Sequence, residues 1–241
     1  MRKNRVKARI HVGESVFGIW FEFPVLQAVE IAGALGFDYI FIDGEHGTFN
    51  LTDIEQMCIV ANAMGLTVNA RVPNIHPSTI LQFLDRGVQG ITGPHIRTKN
   101  DAETLVKACR FAPQGVRGFF WSRPAGYSLP QDVPAYMAAE NEEVWVAAGI
   151  EEEEGLRNLQ EILSVEGLDS VGIGQFDLSQ DMGYPGNPEH PRVKEAIDKA
   201  MEQIRAAGKA LRPGGSGPSW ISLSTLIKTG AGDFLIHAKG G

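Results

Sequence analysis

Eight strand-length apolar runs recur along this chain, each separated from the next by a segment with helical start and stop signals, and that alternation admits few folds. The runs are 17-FGIWFEF-23, 38-DYIFID-43, 67-TVNARV-72, 89-QGITGP-94, 144-VWVAAGI-150, 170-SVGIG-174, 209-KALRP-213 and 233-DFLIHA-238. Between them, Thr52-Asp53-Ile54-Glu55 and Asn100-Asp101-Ala102-Glu103 have the spacing of capping boxes, and Pro191 suits a first helical position. Gly36, Gly65, Gly87 and Gly208 fall where helices should stop. Strands that alternate with helices pair in parallel. Eight of them, with one long connection over about residues 111–143, imply a closed (β/α)8 TIM barrel. An open doubly wound sheet is the competing architecture; it is disfavoured because no glycine-rich dinucleotide turn follows the first strand. A length of 241 residues suits one such barrel, so a single domain over 1–241 is expected.

Composition excludes several classes of function. No apolar run is long enough to cross a bilayer. The first nine residues carry Arg2, Lys3, Arg5, Lys7 and Arg9 without a following apolar segment and cleavage site, which reads as a solvated leading helix rather than a secretory signal. A net charge of −7 argues against nucleic acid as a partner. Cys58 and Cys109 each lie in an apolar-periodic helical segment, outside any metal or disulfide spacing. Two buried thiols without an activating neighbour fit a reducing cytoplasm and no catalytic role.

In a barrel, chemistry belongs to the C-terminal ends of the strands. Read at those positions alone, the chain offers Asp43, Glu45 and His46 after the second strand, Arg71 after the third, His95 after the fourth, Glu151 after the fifth and Asp177 after the sixth. Glu151 and Asp177 are hard oxygen donors from neighbouring strands and suit Mg²⁺ or Mn²⁺. Against that stands a helix-start role for Glu151 within 151-EEEE-154 and an N-cap role for Asp177. A dipole role covers Glu152 to Glu154 well; Glu151 continues the strand and fits it poorly.

His46 beside Asp43 has the pattern of an imidazole oriented by a carboxylate for proton transfer, and a histidine bonded to backbone is the structural alternative. Gly44 and Gly47 would let backbone approach a ligand closely. Arg71 ends a buried strand, so its guanidinium needs an anionic partner from protein or substrate. Arg117 reads at least as well as a loop brace, and His95 and His237 as pocket lining. Glu45 carries no assignment.

The series 43-DGEHG-47, 71-RVP-73, 94-PHIRT-98, 113-PQGVRG-118, 150-IE-151, 177-DLS-179 and 183-GYPGNPEHP-191 closely resembles the pyruvate-dependent class II aldolases of the HpcH/HpaI type, with matching spacings from about residue 17 to about 209. That resemblance implies a metal-dependent carbon–carbon lyase that cleaves 2-keto-4-hydroxy acids to pyruvate and an aldehyde, or runs the reverse addition, through a metal-stabilised pyruvate enolate. Carried over, Glu151 and Asp177 would bind the divalent metal (Mg²⁺ or Mn²⁺, with Co²⁺ a further candidate). Arg71 would contact the keto oxygen, and His46, aligned by Asp43, would join the acid/base relay. Gln175, Phe176 and Asp177 would line the pyruvate site, and Asp85, in 84-LDRG-87, would reach the neighbouring subunit's site. A homo-oligomer, a hexamer with an exchanged last helix, follows by the same route, as do small-molecule substrates.

Three positions depart from the family pattern. Gly149 stands where Gln is usual, Gln175-Phe176 replace Pro-(Ala/Asn), and 212-RPGGSGPSW-220 does not match the usual strand and loop on the aldehyde side. They bear first on substrate identity. Two alternatives share this ground: oxaloacetate decarboxylation or another enolate-based carbon–carbon bond formation, and a non-catalytic barrel that binds a keto acid.

Overall fold

The computed structural model describes residues 3–129, 132–212 and 218–238. Eight parallel strands, β1 (Val16–Phe21), β2 (Tyr39–Asp43), β3 (Thr67–Arg71), β4 (Gly90–Gly93), β5 (Trp145–Ile150), β6 (Ser170–Ile173), β7 (Ala210–Arg212) and β8 (Pro218–Ser222), form one curled sheet in the order β7-β6-β5-β4-β3-β2-β1-β8. The helices are α1 (Arg5–His11), α2 (Leu26–Ala34), α3 (Leu51–Ala63), α4 (Pro77–Asp85), α5 (Lys99–Ala108), α6 (Val133–Glu143), α7 (Glu153–Arg157), α8 (Leu159–Leu163), α9 (Gln175–Asp181), α10 (Pro191–Ala206) and α11 (Leu223–Ala238). The architecture is the TIM-barrel-like one that the alternation predicts.

Two apolar layers hold it together. Ile40, Ile42, Val68, Ala70, Ile91, Val146, Ile150 and Val171 face outward from the strands and pack under the helices. The alternate residues face inward, where Tyr39, Phe41, Trp145 and Ala147 form a separate cluster with Val6 and Ile10. Alternation of side chains along a strand puts these two sets on opposite faces. The leading helix α1 is therefore not simply solvated: its Val6 and Ile10 are buried and close the foot of the barrel.

The capping signals are shifted from their expected places. The capping boxes are Asn50 with Asp53 and Thr98 with Asp101, each two residues earlier, because these side chains exchange hydrogen bonds with each other's backbone. Pro191 does open α10, and Gly36, Gly65, Gly87 and Gly208 all take positive φ, the left-handed conformation of a helix stop.

One strand is misplaced by the sequence. Residues 233–238 belong to α11, and the eighth strand is Pro218–Ser222, inside the segment that departs from the family pattern. A short apolar run such as 234-FLIHA-238 reads equally well as helix or strand. Pro218 is tolerated as a strand's first residue, and β8 pairs with β1 from Val16 opposite Pro218 to Trp20 opposite Ser222. The Tyr39 hydroxyl donates to the Ser219 carbonyl at 2.9 Å, pinning that register. Room for the Tyr39 ring comes from Gly18, where any Cβ would lie 2.5 Å from it. Between β7 and β8 only residues 213–217 intervene, whereas parallel neighbours need a crossover of about a dozen residues. No ladder joins these two strands among the described residues.

Candidate active site

Strand register gathers the rim groups. Asp43 lies opposite Arg71 on β3, Arg71 opposite Thr92 on β4, and Thr92 opposite Ala147 on β5, so these residues share the inward face. Arg71 bonds Asp43 through two contacts, Nη2 to Oδ2 at 2.7 Å and Nε to Oδ1 at 3.1 Å. Burial alone would raise the Asp43 pKa, but the hydrogen bonds and charge of Arg71, with the backbone N–H groups of His46 and Glu45, hold it below the usual carboxylate range. Burial works against the Arg71 charge, and Asp43, Glu45 and Glu151 together more than offset it.

The expected Asp43–His46 alignment takes a different form. Asp43 Oδ1 accepts the backbone N–H of His46 at 3.2 Å, and its carboxylate is committed to Arg71. Nearest to the imidazole among the carboxylates is Glu45, with Oε2 at 3.9 Å from Nε2. Gly44 and Gly47 serve the turn itself: a Cβ at Gly44 would lie 2.7 Å from the Arg71 carbonyl, and one at Gly47 2.8 Å from that of Glu22. Close approach of backbone to backbone, rather than to a ligand, selects glycine there.

Glu45 is central to the site. Its Oε2 lies 3.2 Å from Arg71 Nε, whose N–H points to Asp43, so the contact is a charge pair without a hydrogen bond. Its Oε1 lies 3.3 Å from His95 Nε2. On the other side of that ring, Nδ1 lies 3.2 Å from Glu151 Oε2 and 2.8 Å from Glu152 Oε1. His95 holds this position with φ of 53°, an uncommon left-handed backbone for a residue with a side chain. Partial burial would lower its pKa, but Glu151, Glu152 and Glu45 raise it above the ordinary histidine value. Sequence spacing marks His95 as lining only and Glu152 as a helix-start charge; neither carries a local signal that reveals the partner, because their meeting depends on how the β4 and β5 loops fold together.

Glu151 is 4% exposed, and burial raises its pKa against the attraction of His95 and Arg71, with Glu45 and Asp177 raising it further. Glu45, Glu151 and Glu152 all lie within 3.3 Å of the His95 ring, an acidic cluster that a further cation would stabilise. One ligand atom from each of Glu45, His95 and Glu151 lies within 4.8 Å of the others, a set whose oxygen and imidazole donors fit a hard divalent ion. Asp177, the second ligand expected from sequence, lines the same cavity as Glu151. A Cβ at Gly149 would lie 2.9 Å from Glu151 Oε1, the movable end of that side chain, so the glycine leaves room beside the carboxylate without being required by it.

A cavity of about 570 Å³ opens beside these groups. His46, Arg71, Thr92, Glu151, Gln175, Phe176 and Asp177 line its upper part, and Trp20, Phe41 and Trp220 its floor. The indoles of Trp20 and Trp220 meet edge-to-face at 4.3 Å, and Arg71 sits 5.4 Å over the Trp20 ring. Both indole N–H groups are buried without an acceptor among the described residues. Asp85 stands apart at the end of α4, accepting from Ser122 Oγ at 3.2 Å, and burial raises its pKa. Arg117 is a brace, paired with Glu140 at 3.1 Å and stacked 4.4 Å from the Phe111 ring. The His237 side chain lies outside the described residues.

Comparison with known proteins gives the family of the chain. The family model for HpcH/HpaI aldolase/citrate lyase matches residues 17–212. The chain is 39% identical over 209 residues to the 4-hydroxy-2-oxo-heptane-1,7-dioate aldolase of Shigella sonnei, covering 86% of this chain and 79% of that one. It is 35% identical over 208 residues to the 4-hydroxy-2-oxovalerate aldolase of Rhodococcus jostii, covering 86% and 80%. The crystal structure of an HpcH/HpaI aldolase from Desulfitobacterium hafniense superimposes with a TM-score of 0.88 at 25% identity, over 97% of this chain and 96% of that one. A parallel barrel whose rim carries Asp43, Arg71 and Glu151, read with these matches, makes this chain a member of the HpcH/HpaI aldolase/citrate lyase family.

Proposed function

We propose that this protein is a class II pyruvate aldolase that cleaves a 4-hydroxy-2-oxo acid to pyruvate and an aldehyde, and catalyses the reverse addition. The observation that carries the reading is the placement of Arg71 between Asp43 and Glu45 at the mouth of a cavity that also holds Glu151 and Asp177. In the cleavage direction the C4 hydroxyl loses its proton, the C3–C4 bond breaks, and its electron pair passes into an enolate whose oxygen becomes negative. Arg71 is held rigidly by Asp43, so its guanidinium is already oriented where that charge develops; such preorganised donors stabilise a transition state more than a ground state.

His46, two-thirds exposed at the cavity wall, is the group we assign to take the hydroxyl proton and return one to the carbon. Its turn is fixed by the Asp43 contact to its backbone N–H. A divalent cation, Mg²⁺ or Mn²⁺ with Co²⁺ as a third candidate, would supply further positive charge beside the keto oxygen. Glu151 would hold it, with Asp177, Glu45 and His95 as the further candidate ligands. The aromatic floor of Trp20, Phe41 and Trp220 excludes water beneath the reacting atoms.

The assembly we assign is a homo-oligomer in which Asp85 completes a neighbour's site, and the setting is the cytoplasm. Support for the first comes from the family pattern around Asp85, and for the second from two buried free thiols. No helix among the described residues is long and apolar enough to cross a membrane.

The two aldolases above are named for a seven-carbon dioate and a five-carbon acid, and both compounds are test substrates. Incubation of the protein and Mg²⁺ or Mn²⁺ with each, with pyruvate followed by lactate dehydrogenase and NADH, should show turnover of at least one 4-hydroxy-2-oxo acid. Pyruvate release from none of a chain-length series would contradict the aldolase reading.

A further inference from the structure

At the foot of the barrel, opposite the site just described, a second cavity of about 690 Å³ lies between α1, the end of α5, α6 and the entries to β6 and β7. Lys7, Arg110 and Lys209 supply three cations to its lining, and Asp169 one buried carboxylate. Asp169 is fully engaged: Oδ1 meets His11 Nε2 at 2.8 Å and Lys7 Nζ at 3.5 Å, and Oδ2 accepts the Val146 N–H at 2.8 Å. Lys209 donates to the carbonyl of Leu168 at 2.7 Å, and Lys7 to that of Val144 at 3.1 Å.

Arg110 is the anomaly. It is 4% exposed, forms no ion pair among the described residues, and has one long hydrogen bond, from Nη2 to the Gly167 carbonyl at 3.4 Å. Its Nη1 is buried without a partner among the described residues. Asp169 attracts Arg110 only through space, its oxygens being committed to His11, Lys7 and the Val146 N–H, and a buried guanidinium without a hydrogen-bonded anion is costly. Glu142 and Glu166 also line the cavity, but both are exposed at its mouth, where solvent screens them.

We propose that this cavity binds a phosphate group, with the Arg110 guanidinium, Lys7 Nζ and Lys209 Nζ as its donors. Inside the cavity Lys7, Arg110 and Lys209 face Asp169, while Glu142 and Glu166 stand exposed at its mouth, so the interior is more positive than negative and suits an anion. One planar guanidinium and two ammonium groups approaching from different elements suit a tetrahedral oxyanion better than a flat carboxylate. The volume exceeds that of an inorganic ion, so the phosphate of a small organic ester fits the same chemistry. Burial lowers the pKa of both Lys7 and Lys209 against the opposing pull of Asp169, joined by Glu142 at Lys7 and Glu166 at Lys209.

The test is a thermal-shift and calorimetric titration of the full chain with inorganic phosphate and, separately, glycerol 3-phosphate, against chloride at equal ionic strength. Saturable binding is expected, with Tm raised by ~5 °C at a hundredfold excess over Kd. Arg110→Met should fold at least as stably in chloride, because it removes an unpaired buried charge, yet lose the phosphate-dependent shift; Lys7→Met should weaken binding at least tenfold. A stronger response to the ester than to inorganic phosphate assigns the site to an organic phosphate, and the reverse to the free ion. Arg71→Ala separates this site from the one at the other end of the barrel and should keep the full shift. No shift with either compound, or a shift lost in Arg71→Ala and intact in Arg110→Met and Lys7→Met, overturns the proposal.

Discussion

The guanidinium of Arg71 is clamped by Asp43 in a bidentate pair, at 2.7 Å and 3.1 Å, while its second anionic neighbour, Glu45, touches it at 3.2 Å without a hydrogen bond. A fully engaged anchor on one side leaves the rest of the guanidinium directed to the cavity. Arg71→Ala should therefore lower kcat/KM by about two to three decades, or ~3–4 kcal/mol of transition-state stabilisation. Asp43→Asn should keep the charge on Arg71 but loosen its orientation, with a smaller loss concentrated in kcat. Steady-state kinetics of both variants measures this, and an Arg71→Ala enzyme within threefold of wild type would remove Arg71 from the mechanism.

Glu151 is common to the ligand pair expected from sequence and to the Glu45–His95–Glu151 cluster in the structure. Chelation should abolish turnover, and added Mn²⁺ should restore it and raise Tm by about 5 °C or more at a hundredfold excess over Kd. Glu151→Gln should lose metal binding measured by calorimetry. His95→Ala and Asp177→Asn then distinguish the two sets: whichever variant weakens metal affinity tenfold or more identifies the further ligand. Unchanged affinity in Glu151→Gln would place the metal elsewhere.

How much of the fold and site is legible in the sequence depends on how local each signal is. The alternation of apolar runs is a property of each segment alone, and seven of the eight strands lie where it puts them, within one or two residues at either end. Pro218–Ser222 is hidden because glycine, proline and serine around it suppress strand propensity, whereas pairing with β1 and the Tyr39–Ser219 bond supplies what the segment lacks. Asp43, Arg71 and Glu151 are readable as rim residues because a charge at the end of a buried strand is costly unless a partner or ligand meets it. Glu45 and His95 are readable at the rim too, but their partnership is not, since they meet across the ends of β2 and β4 and neither is marked by its own neighbours. The surroundings of Gly149 are also tertiary: its neighbours are the Glu151 carboxylate and the Gly93 carbonyl.

The aromatic floor should set the acceptor, not the pyruvate half of the reaction. Trp220→Ala opens space beneath the cavity and should shift preference toward bulkier aldehydes by about tenfold in relative kcat/KM, consistent with ~1–3 kcal/mol for a few carbon atoms of fit. Proton exchange of pyruvate alone should be little changed. Equal losses for every aldehyde would instead mean that Trp220 only supports the barrel.

Asp169 ties α1 to β5 at the barrel's foot. Burial would raise its pKa, but the His11 hydrogen bond, Lys7, the Val146 N–H and Arg110 prevail and hold it below the unfolded value. A depressed carboxylate stabilises the fold above its unfolded pKa of about 3.9 and loses that contribution as pH falls through the lower folded value. Asp169→Asn in chloride buffer should thus cost about 2 kcal/mol at neutral pH, with the difference from wild type shrinking in acid below pH ~4. Urea melts from pH 3 to 8 measure it, and a difference independent of pH would mean that the charge is not what stabilises.

The formation of a pyruvate enolate at Arg71 is tested most directly by exchange of the pyruvate methyl protons with D₂O, followed by proton NMR after removal of metal. With Mg²⁺, Mn²⁺ or Co²⁺ the wild-type protein should exchange the methyl group without any aldehyde present, chelated protein should not, and Arg71→Ala should exchange at least a hundredfold more slowly. Absence of exchange with every one of these metals, or exchange at the wild-type rate in Arg71→Ala, would contradict the enolate chemistry assigned to this site.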